Sequence, residues 1–179
     1  MTPAIVPFSE GQKRLDWLAL VAALKNGHQC PKAEINDLFL YRGADTLLSR
    51  SAWINGMGLL TKTATVFPGN PKSGQPVVSG GVMLFDDQNG QLTAVIDFHL
   101  ITKWKTAGDS LMAALALASA DARKILIVGA GTVGRSLLEA FGAGYPRANF
   151  TIWNRSPAGA QAFATVSYTH LTLPTIYSV

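Results

Sequence analysis

The chain has 179 residues, which is enough for one ordinary domain or two small ones. Hydrophobic residues make up 48% of it and charged residues 15%, a balance that is typical of a core-forming protein and excludes a disordered one. The net charge of +4 comes from scattered residues, without the basic clusters and interleaved aromatics of a nucleic-acid surface, so we predict no nucleic-acid partner.

Neither a membrane segment nor a metal site is predicted. The first ten residues lack a basic stretch followed by a long apolar one, and the longest apolar run, Leu111 to Ala120, is too short to cross a bilayer. Cys30 is the only cysteine, so no internal disulfide can form and a reducing cytoplasm is the expected setting. His28 lies nearby, but no second pair of ligands accompanies these two residues.

The N-terminal part is predicted to begin with a helix. Leu15 to Leu24 has the pattern of an amphipathic helix, and Gly27 is its expected stop. Residues 31 to 45 are predicted as mixed loop and short strand, and they contain Arg42. From Leu47 to Asp97 the pattern changes to β-structure.

One predicted strand, Leu59 to Phe67, contains a lysine in an unusual position. Its side chains alternate between two faces, and Lys62 belongs to the more aliphatic row, which is Leu60, Lys62, Ala64 and Val66. An ammonium group there either extends to solvent along its own methylene stem or meets an anion in a partly desolvated pocket. The spacing leaves both interpretations open.

A hairpin and a long helix are predicted next. Val77 to Phe85 and Leu92 to Asp97 form two strands joined around Asn89-Gly90, a strong hairpin signal. Thr106 is predicted as a helix N-cap with Asp109 in a capping-box arrangement, and this alanine-rich helix continues to about Ala120. Lys105, directly before that helix, is expected near the mouth of a cleft; the alternative is an ordinary exposed lysine.

The stretch from Lys124 to Arg155 has the pattern of a dinucleotide-binding βαβ unit. Ile125 to Val128 reads as a buried parallel strand, and glycines spaced G-x-G-x-x-G follow it. A helix with an apolar stripe comes next and stops at Gly142 and Gly144, and Phe150 to Trp153 forms a second strand. The three glycines are Gly129, Gly131 and Gly134.

Each glycine is expected to have a separate mechanical role. Gly129 permits the tight turn, Gly131 lets the backbone approach a pyrophosphate, and Gly134 lets the helix pack closely on the strand. After the second strand, Asn154 and Arg155 stand where an acidic residue would bind the ribose of NAD. The cofactor is therefore predicted to be NAD or NADP, with NADP favoured because Arg155 can pair with a 2′-phosphate.

The last fourteen residues, Val166 to Val179, differ in composition from the rest of the chain. They carry no charge, and no third strand follows the second at the expected spacing. The segment resembles a translated sequencing adapter, so we expect the native sequence to end near Thr165 by interruption. On this interpretation Tyr168 and His170 carry no functional weight.

These patterns predict an α/β chain in three parts. Residues 1–121 form an N-terminal α+β domain with an antiparallel sheet, which would bind substrate and mediate dimerisation. Residues 122–165 form the first βαβ unit of a truncated, doubly wound Rossmann-type domain. Residues 166–179 form the non-native tail.

The motifs in their order resemble the ornithine cyclodeaminase/μ-crystallin family, which includes ketimine reductases and some alanine dehydrogenases. The resemblance spans almost all of residues 1–165, or about the first half of a typical member. The matching stretches are DTLLSRSAW (45–53), TKTATVFPGNP (61–71), GGVMLFDDQNGQLTAVID (80–97), LITKWKTAGDSLMAALALA (100–118) and ILIVGAGTVG (125–134).

The resemblance implies roles for particular residues. Lys62 matches the family's lysine that contacts the substrate carboxylate, and Lys105 stands where many members have an arginine that contacts substrate and cofactor. A lysine there keeps the charge but loses bidentate pairing. Arg42 is a looser candidate for a second carboxylate contact, and the backbone of Thr132 and Val133 would line the pyrophosphate. The family's catalytic aspartate has no counterpart in this chain.

The resemblance also implies an activity, namely hydride transfer at the α-carbon of an amino acid. A cyclodeaminase would convert ornithine to proline with loss of ammonia, and a reductase would deliver hydride from NADPH to a cyclic ketimine carboxylate. The alternative is a non-catalytic protein of μ-crystallin type that binds NADP and a small ligand. Family members pair through the N-terminal domain, so the complete parent is expected to be a homodimer, and this chain alone is expected to be inactive.

Overall fold

The computed structural model describes residues 2–166 and 171–172 of the chain. The chain divides into two compact units, of which the first comprises Met1–Leu15 and Asn26–Thr102 and the second Asp16–Lys25 and Lys103–Val179. Among the described residues, no helix is both long enough and apolar enough to span a membrane.

The first unit is built on a six-stranded mixed sheet. The strand order is β1-β6-β5-β4-β3-β2, in which β1 pairs with β6 in parallel and all other neighbours are antiparallel. A short helix, α1 (Phe8–Arg14), and a 3₁₀ turn (Asn70–Ser73) accompany the sheet. The strands are β1 (Ala4–Val6), β2 (Glu34–Arg42), β3 (Asp45–Ile54), β4 (Gly58–Val66), β5 (Val78–Phe85) and β6 (Leu92–Asp97).

Most of this sheet agrees with the sequence-based expectation. The strands predicted at 59–67, 77–85 and 92–97 are present, and Gly90 has the positive φ of 66° that the tight connection before β6 requires. The segment at 31–45 was expected to be mixed loop and short strand, but β2 spans nine residues. It lies at the edge of the sheet and is exposed along its whole length, so its sequence lacks the alternation that a half-buried strand shows.

The long helix, α3 (Phe98–Leu117), begins nine residues earlier than expected from an N-cap at Thr106. It follows β6 directly, because the Asp97 carboxylate accepts a hydrogen bond from the Leu100 amide at 2.9 Å and so caps the first turn. The prediction of Thr106 as the N-cap is therefore wrong. Thr106 lies inside the helix, and its carbonyl accepts a hydrogen bond from the Ser110 hydroxyl.

The second unit begins with helix α2 (Trp17–Gly27), which confirms the helix predicted near residues 15–24. Asp16 caps it, since its carboxylate accepts from the Ala19 amide at 2.9 Å. Trp17 stacks on Trp104 of α3 with ring centroids 3.9 Å apart, and a Cβ added to Gly108 would meet Leu20 at 2.7 Å. The small residues of α3 thus allow close packing between the two helices.

The rest of the second unit is a three-stranded parallel sheet with helices. The predicted βαβ unit is present as β7, α4 and β8, and its core consists of Ile127, Phe150, Ile152 and Phe163. Helix α5 was not predicted, although Pro157 is a favourable first residue for it. The elements are β7 (Lys124–Val128), α4 (Thr132–Gly144), β8 (Asn149–Trp153), α5 (Pro157–Val166) and β9 (Leu171–Thr172).

A third strand was not expected after β8, but the structure contains one of two residues. β9 pairs in parallel with β8 through the partners Phe150 with Leu171 and Thr151 with Thr172. Such a short strand carries no sequence periodicity, which is why no pattern indicated it. Tyr168 and His170 lie outside the described residues.

Candidate functional site

Lys62 lies in the middle of β4 on the face that the start of α3 covers. Its ammonium group donates a hydrogen bond to the Thr102 hydroxyl at 2.9 Å and stands 4.6 Å from the centre of the Phe98 ring. Both contacts come from the first turns of α3. The side chain is therefore half-buried and held against the helix. Of the two alternatives left open by the sequence, simple extension of the ammonium group into solvent does not describe this arrangement.

The opposite face of β4 confirms the predicted alternation. Thr61 and Thr63 exchange hydrogen bonds with hydroxyl groups of β3 at 2.9 Å each, and the partners are Ser51 and Ser49. Because successive side chains of a strand alternate, these polar pairs leave Lys62 with the aliphatic row on the other side of the sheet. A groove of about 440 Å³ lies at one end of this unit, and its lining includes Ser51 and Thr61 of the hydroxyl-bearing face.

A second cation, Arg50, lies opposite Lys62 on the neighbouring strand. The antiparallel register of β3 and β4 pairs these two residues directly, and the register of β2 and β3 pairs Arg50 with Asp37. Arg50 donates two hydrogen bonds of 2.6 Å to the two oxygens of the Asp37 carboxylate. These hydrogen bonds lower the pKa of Asp37 below its usual value and raise the pKa of Arg50.

Sequence analysis did not single out Arg50. The signal that could have found it is the length of the two hairpins, because turns at Gly43 and around Gly56 fix the register of β2, β3 and β4. Counting from those turns places Asp37, Arg50 and Lys62 in one row across the sheet. Because residues 31–45 were expected to be mixed loop and short strand, the sequence did not predict a β2–β3 hairpin from which to count.

Arg42 lies at the end of β2, away from Lys62. It forms an ion pair with Asp45 at 3.0 Å and its guanidinium stands 5.6 Å from the centre of the Phe67 ring. In the sheet register it is level with the position just beyond Val66, which is five residues or about 17 Å along the strand from Lys62. The structure therefore does not bring Arg42 and Lys62 together at one point of the sheet.

Lys105 lies within α3 and not before its N-terminus, where it was expected. Its ammonium group forms an i,i+4 ion pair with the Asp109 carboxylate, and its side chain is mostly exposed. Asp109, expected to act in a capping box, serves instead as this partner. The proposed contact of Lys105 with substrate and cofactor stays a prediction.

The glycine-rich turn between β7 and α4 has the geometry expected of a phosphate-binding turn. Gly129 has a φ of 109°, which residues with a side chain rarely adopt, and its amide donates to the Trp153 carbonyl at 2.8 Å. A Cβ on Gly134 would lie 2.1 Å from the Gly129 carbonyl oxygen, whereas one on Gly131 would meet nothing within 4 Å. The open side of Gly131 and the exposed start of α4 at Thr132 are the features that a pyrophosphate needs.

The side chain of Asn154 ties this turn to the end of β8. Its carbonyl oxygen accepts from the Ala130 amide at 3.2 Å, and its amide group donates to the Ser156 carbonyl at 3.0 Å. Arg155 follows as an exposed cation. The residues present therefore fit a dinucleotide, with a neutral residue and a cation where an acidic residue would bind the ribose hydroxyl of NAD. Val133, whose backbone is expected to line the pyrophosphate, is 46% exposed at the start of α4.

Comparison with known proteins identifies the family. The sequence model described as "Ornithine cyclodeaminase/mu-crystallin family" matches residues 54–172. The chain belongs to this family. The Delta(1)-pyrroline-2-carboxylate reductase of Paracoccus denitrificans (strain Pd 1222) is 44% identical over 160 residues, which are 89% of this chain and 51% of that protein. The chain therefore spans about half the length of this curated relative.

Solved structures show the same fold. An archaeal alanine dehydrogenase dimer with bound NAD has a TM-score of 0.86 at 20% identity, over 97% of this chain and 56% of that one. The Delta(1)-pyrroline-2-carboxylate reductase of Thermococcus litoralis, in complex with NADH and L-proline, has a TM-score of 0.77 at 22% identity, over 91% and 53%. The predicted α/β fold with a Rossmann-type unit is thus confirmed.

The ornithine cyclodeaminase/mu-crystallin match covers some of the candidate residues and not others. Lys62, Lys105 and the glycine-rich turn lie within the matched residues 54–172, whereas Arg42 and Arg50 precede them. Family membership therefore supports the comparison of the first group with the family pattern. The roles of the individual side chains stay predictions.

Proposed function

We propose that the protein is an NAD(P)-dependent enzyme that transfers hydride at the α-carbon of an amino acid or cyclic ketimine carboxylate. The candidate reactions are reduction of Δ1-pyrroline-2-carboxylate and cyclodeamination of ornithine. The 44% identity to a Δ1-pyrroline-2-carboxylate reductase over most of the chain is the observation that carries the proposal. The half-buried ammonium group of Lys62 supports it, because both substrates carry a carboxylate beside the reacting carbon.

In this proposal Lys62 binds the substrate carboxylate. Its hydrogen bond to Thr102 and its position over the Phe98 ring restrict the side chain before substrate arrives, which reduces the entropy lost on binding. Lys105 provides a second positive charge for substrate or cofactor, although it presents one ammonium group and not the bidentate fork of an arginine.

The glycine-rich turn is proposed to hold the dinucleotide. When bound, the nicotinamide group supplies the hydride chemistry, and the protein orients it. The amides at the start of α4, from Thr132 and Val133, would donate to the pyrophosphate, and Gly131 leaves room for its approach. Because Asn154 and Arg155 replace an acidic residue at the end of β8, we propose a preference for NADP.

The proposed setting is a homodimer in the cytoplasm that acts on a small amino acid or cyclic imine. Support for dimerisation comes from β2, an edge strand of the described sheet whose apolar side chains are exposed on both faces. The fold is also that of an alanine dehydrogenase described as a dimer. A single cysteine fits a reducing compartment.

The test is cofactor turnover by the protein expressed from its complete gene. NADPH consumption is measured with Δ1-pyrroline-2-carboxylate. With ornithine and NAD, the release of ammonia and proline is measured, because a cyclodeaminase returns the hydride to the cyclic imine and forms no net NADH. We expect turnover of at least one substrate, and Lys62→Met should raise its KM roughly tenfold or more because a charged hydrogen bond is lost. Lys72→Met removes an exposed lysine of the same unit and should leave KM unchanged. Cofactor binding without turnover of these or related substrates would instead support a binding protein.

The 179-residue polypeptide itself is proposed to be inactive. It contains no residue that matches the family's catalytic aspartate, so it lacks the group expected to transfer the proton. Leu126 and Val128 of β7 are also 60% and 67% exposed, although strands of a doubly wound sheet are normally covered on both faces. Measurable turnover by the purified 179-residue chain would contradict this proposal.

A further inference from the structure

Three charged side chains form a row across the first unit's sheet. Asp37 of β2, Arg50 of β3 and Lys62 of β4 are direct partners in two successive antiparallel registers. Directly opposed residues of neighbouring strands point to the same face, so all three side chains rise from one side of the sheet. We call these three residues the charged row.

The start of α3 packs against the Lys62 end of the charged row, while Arg50 at its middle is largely exposed. Val82, the partner of Lys62 on β5, is fully buried, and a Cβ on nearby Gly80 would lie 2.7 Å from the Phe98 ring. Lys62 is half-buried at the margin of this covered region, while the Arg50 side chain is 62% exposed. A small ligand could therefore reach Arg50 and Lys62 from the same side.

The pairing with Asp37 leaves Arg50 able to bind a second carboxylate. The fork to Asp37 uses Nε and one N–H of Nη2. A guanidinium has five N–H donors, so the two on Nη1 and the second on Nη2 are not part of this fork. Asp37 thus fixes the orientation of the guanidinium without using all of its donors.

The charges of the row favour an anion between the two cations. Like charges directly opposite on neighbouring strands repel, and the row has two cations to one carboxylate. A carboxylate bound between Arg50 and Lys62 would be attracted to both cations, and these two attractions would offset the repulsion. A planar guanidinium also matches the geometry of a carboxylate better than an ammonium group does.

We propose that Arg50 is the second contact of the substrate carboxylate, beside Lys62, and that Asp37 is its positioning residue. This inference rests on the proposed function and replaces Arg42, which the register places about 17 Å farther along the sheet. The site would then recognise a small amino acid or imine acid by two cations from adjacent strands.

The experiment compares Arg50→Met, Arg42→Met and the control Arg14→Met in the protein expressed from its complete gene. Arg14 is an exposed arginine at the end of α1, so its loss changes net charge alone. KM and kcat are measured with the turned-over substrate, and KM for the dinucleotide is measured in parallel. Binding of L-proline and of L-prolinamide, which lacks the carboxylate, is measured by calorimetry with the dinucleotide present.

We expect Arg50→Met to raise the substrate KM by roughly 10- to 100-fold and to leave the dinucleotide KM unchanged. The preference of Arg50→Met for L-proline over L-prolinamide should fall by a similar factor. Arg14→Met should have the KM and the ligand preference of the parent. Asp37→Asn should give a smaller rise in KM, because Arg50 remains but is less well oriented. Arg50→Lys should recover part of the loss, because it restores the positive charge without the bidentate fork. A purely structural pairing with Asp37 would not change the preference for L-proline over L-prolinamide.

The inference is overturned if Arg50→Met keeps the parent's KM and its preference for L-proline, while Lys62→Met raises KM and loses that preference. It is equally overturned if Arg42→Met shows the effect expected of Arg50→Met. A parent protein that neither turns over substrate nor prefers L-proline to L-prolinamide would overturn the proposed function together with this inference. Turnover by the parent with an unaffected Arg50→Met would overturn the inference alone.

Discussion

Gly131 and Gly134 lie three residues apart at the start of α4, and their surroundings predict opposite effects of an added methyl group. Gly131→Ala places a Cβ in open space, so the fold should tolerate it, but the methyl group would occupy the approach of a pyrophosphate. We expect an unchanged Tm and a roughly tenfold or greater loss of dinucleotide affinity.

Gly134→Ala places a Cβ 2.1 Å from the Gly129 carbonyl oxygen, so the backbone must move and stability should fall by about 1–3 kcal/mol. Gly142→Ala is the control, because it meets nothing within 4 Å and lies away from the turn. Thermal melting and dinucleotide titration of the three variants separate the two effects. Equal loss of Tm in Gly131→Ala and Gly134→Ala would contradict the assignment of a packing role to Gly134 alone.

Asp37 gives a pH-dependent prediction. Its hydrogen bonds from Arg50 lower its pKa in the folded protein, so the unfolded chain binds its proton more readily. The stabilisation is therefore present above the unfolded pKa of about 3.9 and is lost as pH falls through the lower folded pKa. Compared by urea unfolding, the stability difference between the parent and Asp37→Asn should be constant near neutral pH and shrink below about pH 4. A difference that stays constant to pH 3 would exclude the carboxylate as its origin.

The sequence predicts the face of a residue better than its contacts. The alternation of 59–67 placed Lys62 opposite the threonines, and the hydroxyl pairs with β3 confirm this. Its partner Thr102 is 40 positions away in sequence, and Arg50 faces it only through the register of a hairpin. No local periodicity encodes either contact, because both depend on how separate elements pack.

At the scale of elements, the signals that succeeded are those contained in a few consecutive residues. The glycine spacing after β7 and the Asn89-Gly90 turn each fix local backbone geometry, and both elements appear where predicted. The start of α3 was missed because Asp97 belongs to β6 and caps the next helix at once, with no intervening loop. β1 was missed because three residues are too few to show a period.

The capping of α3 by Asp97 can be tested, and Thr106, the residue first predicted as the cap, serves as the control. Asp97→Ala removes the acceptor of the Leu100 amide and should lower stability by about 1 kcal/mol. Thr106→Ala replaces a residue inside the helix with a better helix former, so stability should change by only a few tenths of a kcal/mol. Urea unfolding of both variants gives the comparison. A larger loss in Thr106→Ala would restore Thr106 as the functional cap.

At the scale of the whole molecule, each unit exposes apolar surface that a stable protein normally covers. In the second unit this surface lies on β7, and in the first unit it lies on β2, whose apolar side chains are 47–72% exposed. These are Ile35, Leu38, Phe39, Leu40 and Tyr41. A long apolar strand at a free edge pairs readily with another chain, and a second copy is the partner that the proposed homodimer supplies.

Self-association through β2 should therefore be sensitive to one charge on that strand. Leu40→Lys places an ammonium group among the exposed apolar side chains, and lysines on edge strands oppose pairing between sheets. The measurement is sedimentation of the protein expressed from its complete gene, and we expect the parent to be a dimer. Leu40→Lys should raise the Kd of the dimer at least tenfold, because burying a charge in an interface is costly.

The control for this change is Gln75→Lys, which adds the same charge at an exposed loop position away from β2. It should sediment as the parent does, because loops on the surface tolerate charge without loss of packing. If Leu40→Lys also remains a dimer of unchanged Kd, a different surface must join the two copies. If Gln75→Lys dissociates equally, net charge and not the β2 edge governs the association.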